Sequence, residues 1–260
     1  MSAGQTAGRK RVGLALGGGG ARGMAHVGVI RVLERAGITV DCIAGTSAGA
    51  LVGAAYAAGL NSDQLLEMAL QMRWRDILRL VWPRQGFISF ARLESYLVHI
   101  LGDLTFAELK IPYAAVTADL ATGKQVVLRE GRVARAVRAS CSVPGIVTPV
   151  EVDDRLLIDG GVVNNLPISV VRNLGADVVI AVGLALPPGD YPRGALRIGI
   201  AAIEFLIRKA GDDPATADVH LPVPVWGLGT MVRTSQRHRL ISLGQRIAEQ
   251  SLPEIRALLD

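Results

Sequence analysis

The chain has 260 residues, half of them hydrophobic, and this composition is enough to bury the core of one large domain. Its formal charge of +5 favours an anionic partner, which is either a membrane surface or a nucleic acid. Only 4% of the residues are aromatic, and no zinc-finger, homeodomain or RNA-recognition pattern is present, so we expect no nucleic-acid partner. The longest apolar run of the N-terminal half, residues 48–60, is shorter than the roughly 20 residues that a membrane-spanning helix needs.

The first eleven residues are small, polar and basic, and they lack the apolar stretch of a secretory signal. We therefore expect residues 1–10 to be disordered and the protein to be cytoplasmic, with a peripheral position at the inner face of the membrane as a further expectation. The two cysteines, Cys42 and Cys141, are too few to staple a domain of this size. We interpret both as small apolar residues and assign neither a function.

The first half of the chain predicts two strands joined by a helix. A short apolar run at 11–16 ends in four glycines, and residues 21–36 then show apolar side chains at helical spacing. A second β-rich run, 38–44, leads through residues 45–49 into another helical segment that stops at Gly59. A helix of this length between two strands predicts a right-handed crossover with the strands parallel.

Residues 73–84 read RWRDILRLVWPR, with apolar side chains at i, i+3, i+4, i+7 and i+8. This spacing predicts an amphipathic helix. It is open whether the helix packs its apolar face on the core or lies, with Trp74 and Trp82, on an anionic lipid surface.

The second half predicts two hairpins, a buried strand and several helices. The strand runs pair 113–117 with 125–128 and 146–152 with 155–158, and a fully apolar strand covers 177–184. The predicted helices are 133–138, 167–174, 196–209 and 235–250. Strands that alternate with helices in this way predict an α/β fold, with a mostly parallel central sheet covered on both faces.

The first of three glycine clusters, GGGGARG at Gly17–Gly23, follows a strand and opens a helix. Gly18, Gly20 and Gly23 fit the pattern of a dinucleotide-binding turn, but the second strand has no acidic residue at its carboxyl end to hold a ribose. No Gly-Lys-Ser/Thr follows either, so the Walker A pattern fails. Glycines beside a helix N-terminus still expose N–H groups to an anion, and we expect an anion-binding loop without a cofactor.

The second cluster, GTSAG at Gly45–Gly49, is a G-x-S-x-G motif at a strand-to-helix junction. Gly45 and Gly49 allow the tight, strained turn that exposes Ser47 above the sheet edge, which is known as the nucleophile elbow. The two parallel strands bring both glycine loops to the same edge. One loop then offers a nucleophile and the other offers N–H donors for the oxyanion.

The third cluster, LLIDGGVVNN at Leu156–Asn165, has an apolar strand that delivers Asp159 at its end. Gly160 and Gly161 permit a close approach of the backbone. Taken alone, a carboxylate in this position is either a turn residue satisfied by its own backbone or a catalytic base.

Together, the three clusters resemble those of the patatin-like phospholipase family, whose members use a serine–aspartate dyad in place of a triad. The resemblance continues through VTADLATGK, AVRASCSVPGIVTPV and DGGVVNNLP as far as about residue 184. It implies one three-layer α/β/α patatin-like domain over residues 1–260, with its core at about 11–184. Residues 185–260, a helical and strand extension, resemble the family only loosely.

The resemblance also implies a role for each motif residue. Ser47 is the nucleophile and Asp159 the base, and Arg22 braces the glycine loop or adds positive charge to it. The implied oxyanion hole is the backbone of Gly18, Gly19, Gly20 and Ala21. The other motif glycines are Gly17, Gly23, Gly45, Gly49, Gly160 and Gly161. The implied substrate is a lipid or another acyl ester, and the implied chemistry needs no metal.

Three alternatives to a dyad hydrolase stay open at this point: a triad hydrolase, a scaffold module and a nucleotide-binding site. A Ser–Asp–His triad would add His220 or His238 in the chain order of an α/β-hydrolase, although the elbow of such enzymes normally lies on a later strand. His26, just inside the first helix, fits packing or loop anchoring better than catalysis. A regulatory or scaffold module with little turnover could keep all the motifs. Nucleotide binding through the glycine loop lacks its acidic partner.

Overall fold

The computed structural model of the protein describes residues 9–82, 85–185, 194–225 and 234–260. The strands in these ranges are β1 (Val12–Leu16), β2 (Cys42–Thr46), β3 (Arg79–Leu80), β4 (Ile88–Ser89), β5 (Tyr113–Asp119), β6 (Gln125–Leu128), β7 (Val150–Val152), β8 (Arg155–Asp159), β9 (Val178–Ala185) and β10 (Val219–Pro224). The helices are α1 (Met24–Arg35), α2 (Ala48–Ala57), α3 (Ser62–Gln71), α4 (Trp74–Ile77), α5 (Ala91–Leu101), α6 (Val133–Ser140), α7 (Ile168–Asn173), α8 (Ala195–Lys209) and α9 (Thr234–Leu259). Short 3₁₀ turns cover Gly20–Gly23, Phe106–Glu108, Gly160–Val162 and Pro214–Thr216.

In the central sheet, hydrogen-bonded neighbours follow the path β10-β9-β1-β2-β5, β5 pairs with both β6 and β8, and β8 pairs with β7. The five strands from β10 to β5 are parallel to one another, whereas β6, β8 and β7 join in antiparallel ladders. This arrangement confirms the predicted α/β fold with a mostly parallel sheet. It also confirms the crossover from β1 through α1 to the parallel neighbour β2.

Strands β2 and β8 meet end to end along one edge of β5. Both β2 and β6 pair with residues 115–116 of β5, so these two strands lie on opposite edges of it. Both β6 and β8 pair with residues 117–118, so β8 lies on the edge that β2 occupies. Parallel β2 ends at Thr46 and antiparallel β8 ends at Asp159, against consecutive residues of β5. The residue that follows Thr46 therefore faces Asp159.

The central strands bury both of their faces, because successive side chains of a strand point to opposite sides of the sheet. Leu14 and Ile43 join the larger apolar cluster with residues of α1, α2 and α9. Ala15 and Cys42 join a second cluster with residues of α7 on the other face. Helices on both faces confirm the three-layer arrangement, and Cys42 is buried in the core as a small apolar residue.

The region after residue 184 adds to the same sheet. β10 pairs in parallel with β9, and α9 packs against α1 through close contacts at Gly28 and Gly244. A Cβ atom on either glycine would lie 2.0 Å from a main-chain oxygen of the opposite helix. The predicted helices 196–209 and 235–250 are α8 and the longer α9, whereas α3, α5 and β10 were not predicted.

The predicted amphipathic helix at 73–84 is wrong at residues 73 and 78–82, which are not helical, while residues 83 and 84 lie outside the described residues. Helix α4 ends at Ile77, and Leu80 then pairs with Ile88 in a two-stranded antiparallel sheet. Trp82 precedes a proline, and a residue in that position disfavours the α conformation. Of the two interpretations, Ile77 is buried as a core residue would be, while Leu80 and Trp82 are 75% and 83% exposed.

One further boundary differs from the sequence predictions. Strand β7 begins at Val150 rather than at Ile146, because residues 146–148 bond to the β3–β4 hairpin instead. The predicted disorder of residues 1–10 falls mainly outside the described residues. Arg9, which is described, forms an ion pair with Asp41 at 2.6 Å. In the described ranges, no helix combines the length and the apolar character needed to cross a membrane.

Candidate active site

Ser47 occupies a strained turn between β2 and α2. Its backbone angles are φ 54° and ψ −118°, a conformation that costs a residue with a side chain about 1–3 kcal/mol. The turn is possible because its flanking glycines allow close packing: a Cβ on Gly45 would lie 2.5 Å from the Gly49 carbonyl carbon, and one on Gly49 would lie 2.1 Å from the Leu16 oxygen. The predicted tight turn at GTSAG is therefore present, with Ser47 at its apex. The expectation that this turn exposes Ser47 is wrong, because only 9% of the residue is exposed.

Ser140, at the end of α6, holds this turn in place. Its hydroxyl accepts a hydrogen bond from the Ser47 N–H at 2.9 Å and donates one to the Val116 carbonyl at 2.6 Å. The side chain is fully buried, so it connects the strained turn to strand β5 without competition from water. The sequence analysis missed this residue, since a serine within a helical pattern gives no signal of such a contact.

Asp159 is buried at the end of β8 with 2% of its surface exposed. Burial raises the pKa of its carboxyl from 3.8 to about 6, although an interaction with the Ser47 side chain and a hydrogen bond from the Gly161 N–H favour the charged form. The Gly161 bond measures 2.8 Å. The carboxylate therefore accepts a hydrogen bond from its own turn, as the first interpretation expects, and it also interacts with the Ser47 side chain.

The glycine loop is anchored by two side chains that bind its carbonyl groups. His26 is completely buried and its Nε2 lies 2.8 Å from the Gly17 oxygen, while Arg22 Nε donates to the Gly19 oxygen at 3.0 Å. Burial lowers the pKa of His26 to about 4, so the ring is neutral at physiological pH. The loop-anchoring interpretation of His26 and the bracing role of Arg22 agree with these contacts.

The hydrogen bonds of the loop also decide which of its N–H groups are free. The Gly18 N–H donates to the Asn165 carbonyl at 3.1 Å, so it is not available to an oxyanion, and this corrects the expectation for Gly18. The N–H of Gly20 belongs to the same planar peptide unit as the anchored Gly19 carbonyl and points the opposite way. Within the described part of the chain, no acceptor takes the N–H of Gly19, Gly20 or Ala21.

Helix α8 lies over this site. Glu204 forms an ion pair with Arg22 at 3.5 Å, and a Cβ on Gly161 would lie 3.3 Å from the Ile207 side chain. The side chains on the other side of the helix include Ile198, Phe205 and Leu206, all of which are more than half exposed. One face of α8 therefore covers the site while its opposite face is apolar and open to solvent.

Cys141 is a second residue that sequence reasoning did not place in the site. Its thiol is buried and interacts with the Ser47 side chain. Burial, and then the neighbouring Asp159 carboxylate, raise the pKa of this thiol far above its ordinary range. It therefore stays protonated and is no competing nucleophile.

The candidate triad histidines lie elsewhere. His220 is on β10, which is separated from β2 by β9 and β1, and His238 is exposed on α9. Neither is among the side chains that interact with Asp159, whose pKa responds to Ser47 and Gly161. The structure therefore brings neither histidine to the Asp159 carboxylate.

The three-layer α/β/α fold places a strained serine after β2 and a buried aspartate at the end of β8, where these two strands meet along one edge of β5. These features define an α/β protein with a serine–aspartate site. The chain belongs to the patatin-like phospholipase family, whose family model matches residues 14–172.

Relatives and solved structures agree with this assignment. An uncharacterised NTE family protein of Mycobacterium tuberculosis (strain H37Rv) is 44% identical over 177 residues, which cover 67% of this chain and 49% of the relative. Patatin-like phospholipase domain-containing protein 7 of Rattus norvegicus is 40% identical over 181 residues, 66% of this chain and 13% of the relative. The chain thus spans about half the length of the mycobacterial relative.

Two solved structures share the fold. VipD from Legionella pneumophila superimposes with a TM-score of 0.61 at 14% identity, covering 94% of this chain and 66% of that one. ExoU of Pseudomonas aeruginosa, in complex with SpcU, gives a TM-score of 0.55 at 16% identity, covering 97% of this chain and 53% of that one.

Proposed function

We propose that this protein is a serine hydrolase that cleaves carboxylic ester bonds of lipids, with Ser47 as the nucleophile and Asp159 as the base. The observation that carries the proposal is the meeting of these two side chains where β2 and β8 end. There a strained serine interacts with a buried carboxylate of raised pKa. The family supports a lipid substrate, since its members are patatin-like phospholipases.

The acylation step uses groups that are already in position. The Ser47 Oγ forms a bond to the acyl carbon while its proton passes to Asp159. The negative charge that develops on the carbonyl oxygen is stabilised by the free N–H groups of Gly19 and Gly20 and by the N-terminal end of α2. Asp159 then gives the proton to the leaving alcohol, and the acyl group remains on Ser47 until water releases it.

The environment of Asp159 suits this chemistry. A carboxylate with a pKa of about 6 is ionised at neutral pH and is a stronger base than a solvated aspartate. No imidazole takes part in the proposed dyad, so the protonation of a poor leaving group is less favourable. An alcohol leaves more easily than an amine, and we expect esters to be cleaved in preference to peptides.

Labelling with a fluorophosphonate, which reacts with activated serines, tests the proposal. The wild-type protein should be labelled and should hydrolyse a soluble p-nitrophenyl ester, whereas Ser47→Ala should do neither and Asp159→Asn should react far more slowly. Persistent labelling of Ser47→Ala would refute the role of this serine. An unlabelled wild-type protein would instead favour a scaffold module, because α8 covers the site.

A membrane surface is the proposed location of the substrate. The β3–β4 hairpin presents Leu80, Trp82 and Phe87, which are all more than half exposed, and the outer face of α8 is also apolar. Exposed tryptophan and leucine side chains on a protein of net positive charge fit an anionic bilayer.

Vesicle sedimentation tests this contact. Replacing Trp82 and Leu80 by alanine should weaken binding to anionic vesicles and leave hydrolysis of a soluble ester unchanged. Ile100→Ala, which alters an exposed apolar side chain on α5, is the control. Equal binding by the double variant and the control would exclude the hairpin as the membrane contact.

A further inference from the structure

Asn165 lies inside the site, although no step described so far uses its side chain. A Cβ on Gly18 would lie 2.6 Å from Asn165 Oδ1 and 3.3 Å from Ser47 Cβ. A Cβ on Gly161 would lie 3.4 Å from the same Oδ1 and 3.0 Å from Asp159 Oδ1. The amide oxygen therefore lies between the loop beside the nucleophile and the turn beside the base.

This oxygen is buried and, among the described residues, has no hydrogen-bond partner. The main chain of Asn165 is held on both sides: its carbonyl accepts from the Gly18 N–H at 3.1 Å, and its N–H donates to the Ala210 carbonyl at 3.3 Å. The backbone thus fixes where the side chain emerges. A buried acceptor without a donor destabilises a protein, and in a reactive site its partner can be supplied by the reactants.

Attacking water is the reactant that needs such an acceptor. The oxyanion needs donors, which the loop N–H groups supply, and Asp159 accepts only one proton at a time. A water molecule that attacks the acyl-enzyme has two O–H groups, and the second one must be satisfied in a site from which bulk water is excluded. Among the described residues, Asn165 Oδ1 is a buried acceptor without a partner, and it lies beside both the loop next to Ser47 and the turn next to Asp159.

We propose that Asn165 is a catalytic residue for deacylation, in which Oδ1 accepts a hydrogen bond from the attacking water. This rests on the proposed Ser47 acyl-enzyme. The water oxygen forms a bond to the acyl carbon as one of its protons moves to Asp159. The bond from that carbon to Ser47 Oγ then breaks, and the same proton returns to Oγ. The O–H that Asn165 orients remains in the carboxylic acid product.

Stopped-flow hydrolysis of a p-nitrophenyl ester separates the two half-reactions. The burst of nitrophenol measures acylation, and the following steady rate measures deacylation when that step is slower. Asn165→Leu keeps the branched shape and removes both polar atoms. We expect its burst rate to stay within about twofold and its steady rate to fall about tenfold, the loss that one hydrogen bond in a transition state gives.

The melting temperature provides a readout that a purely structural role would move differently. Because Asn165→Leu removes an unsatisfied buried oxygen, its melting temperature should stay equal or rise while turnover falls. Asn164→Ala is the matched control: the Asn164 amide donates to Asp212 at 3.1 Å, so its loss should lower stability without changing the ratio of the two rates. Asn165→Ala gives the same kinetic test if leucine does not fit.

Three outcomes would overturn the role of Asn165: equal slowing of the burst and the steady rate, no slowing of either, or a fall in stability that parallels the fall in turnover. Failure of the dyad itself would be seen separately. In that case Ser47→Ala would retain ester hydrolysis, and the wild-type protein would show no acyl-enzyme by mass spectrometry.

Discussion

Asp159→Asn should stabilise the protein while it greatly slows the proposed chemistry. The pKa of the Asp159 carboxyl is raised from 3.8 to about 6, chiefly because burial disfavours its charged form. One pKa unit corresponds to about 1.36 kcal/mol, so the ionised carboxylate costs the folded state about 3 kcal/mol. Asparagine has nearly the same shape and no charge, and its side-chain oxygen can still accept from the Gly161 N–H.

The sign of the pH dependence follows from which state binds the proton. Between pH 3.8 and about 6 the folded state holds this proton more tightly than the unfolded chain does, so the stability contributed by Asp159 falls as the pH rises. The penalty is absent below pH 3.8 and complete above pH 6. The gain from Asp159→Asn should therefore be about 3 kcal/mol at pH 8 and roughly half of that at pH 5.

Urea unfolding of both proteins at pH 8 and pH 5 measures this gain, and other titrating groups cancel in the comparison. Asp119→Asn is the control, because the Asp119 carboxylate accepts the N–H groups of Ala121 at 2.8 Å and Thr122 at 3.3 Å, and its loss should not stabilise the protein. Equal stability of Asp159→Asn and wild type at pH 8, or a gain that does not change with pH, would refute the assignment of Asp159 as a desolvated carboxylate of raised pKa.

Three further substitutions test the rest of the site. Ser140→Ala leaves the Ser47 N–H unpaired, so it should cost about 1–3 kcal/mol in urea unfolding and slow ester hydrolysis at least tenfold, whereas Ser142→Ala, which loses only a bond to a helix carbonyl, should keep its rate. Gly49→Ala would place its Cβ 2.1 Å from a main-chain oxygen of β1 and should yield insoluble protein on expression. His220→Ala should keep its kcat within about threefold under the dyad, and a complete loss of kcat would restore the triad.

The parts of the site that could be predicted from the sequence are those that local backbone chemistry determines. A glycine on each side of Ser47 permits the tight turn, and four successive glycines before a helix leave N–H groups unpaired, so both loops could be recognised from short stretches. The parallel arrangement of β1 and β2 then placed these loops at one edge. The contact of Asp159 with Ser47 depends instead on strand pairing. Strand β2 pairs with only part of one edge of β5, and antiparallel β8 pairs with the next residues of the same edge, so the ends of the two strands meet.

Side-chain contacts between distant segments could not be predicted in this way. Ser140 and Asn165 are small polar residues in stretches that also fit an ordinary helix or turn, and their roles depend on which backbone groups the fold brings next to them. The helical spacing of residues 73–84 was misleading for a different reason, because here a clear local pattern was present and the chain did not follow it. Ile77 and Trp82 share a predicted apolar face, but the chain leaves the helix between them and only Ile77 reaches the core.

The glycine loop shows how the fold can orient an N–H group without giving it an acceptor. Each peptide unit carries its C=O and N–H in opposite directions, so a donor that binds one carbonyl also directs the N–H of the next residue. His26 binds the Gly17 carbonyl, but the N–H of that peptide unit is taken by Asn165. Arg22 binds the Gly19 carbonyl and leaves the Gly20 N–H free. Arg22 also forms an ion pair with Glu204 of helix α8. The orientation of the Gly20 N–H is therefore coupled to this helix, whose outer face is the apolar surface proposed to meet the lipid.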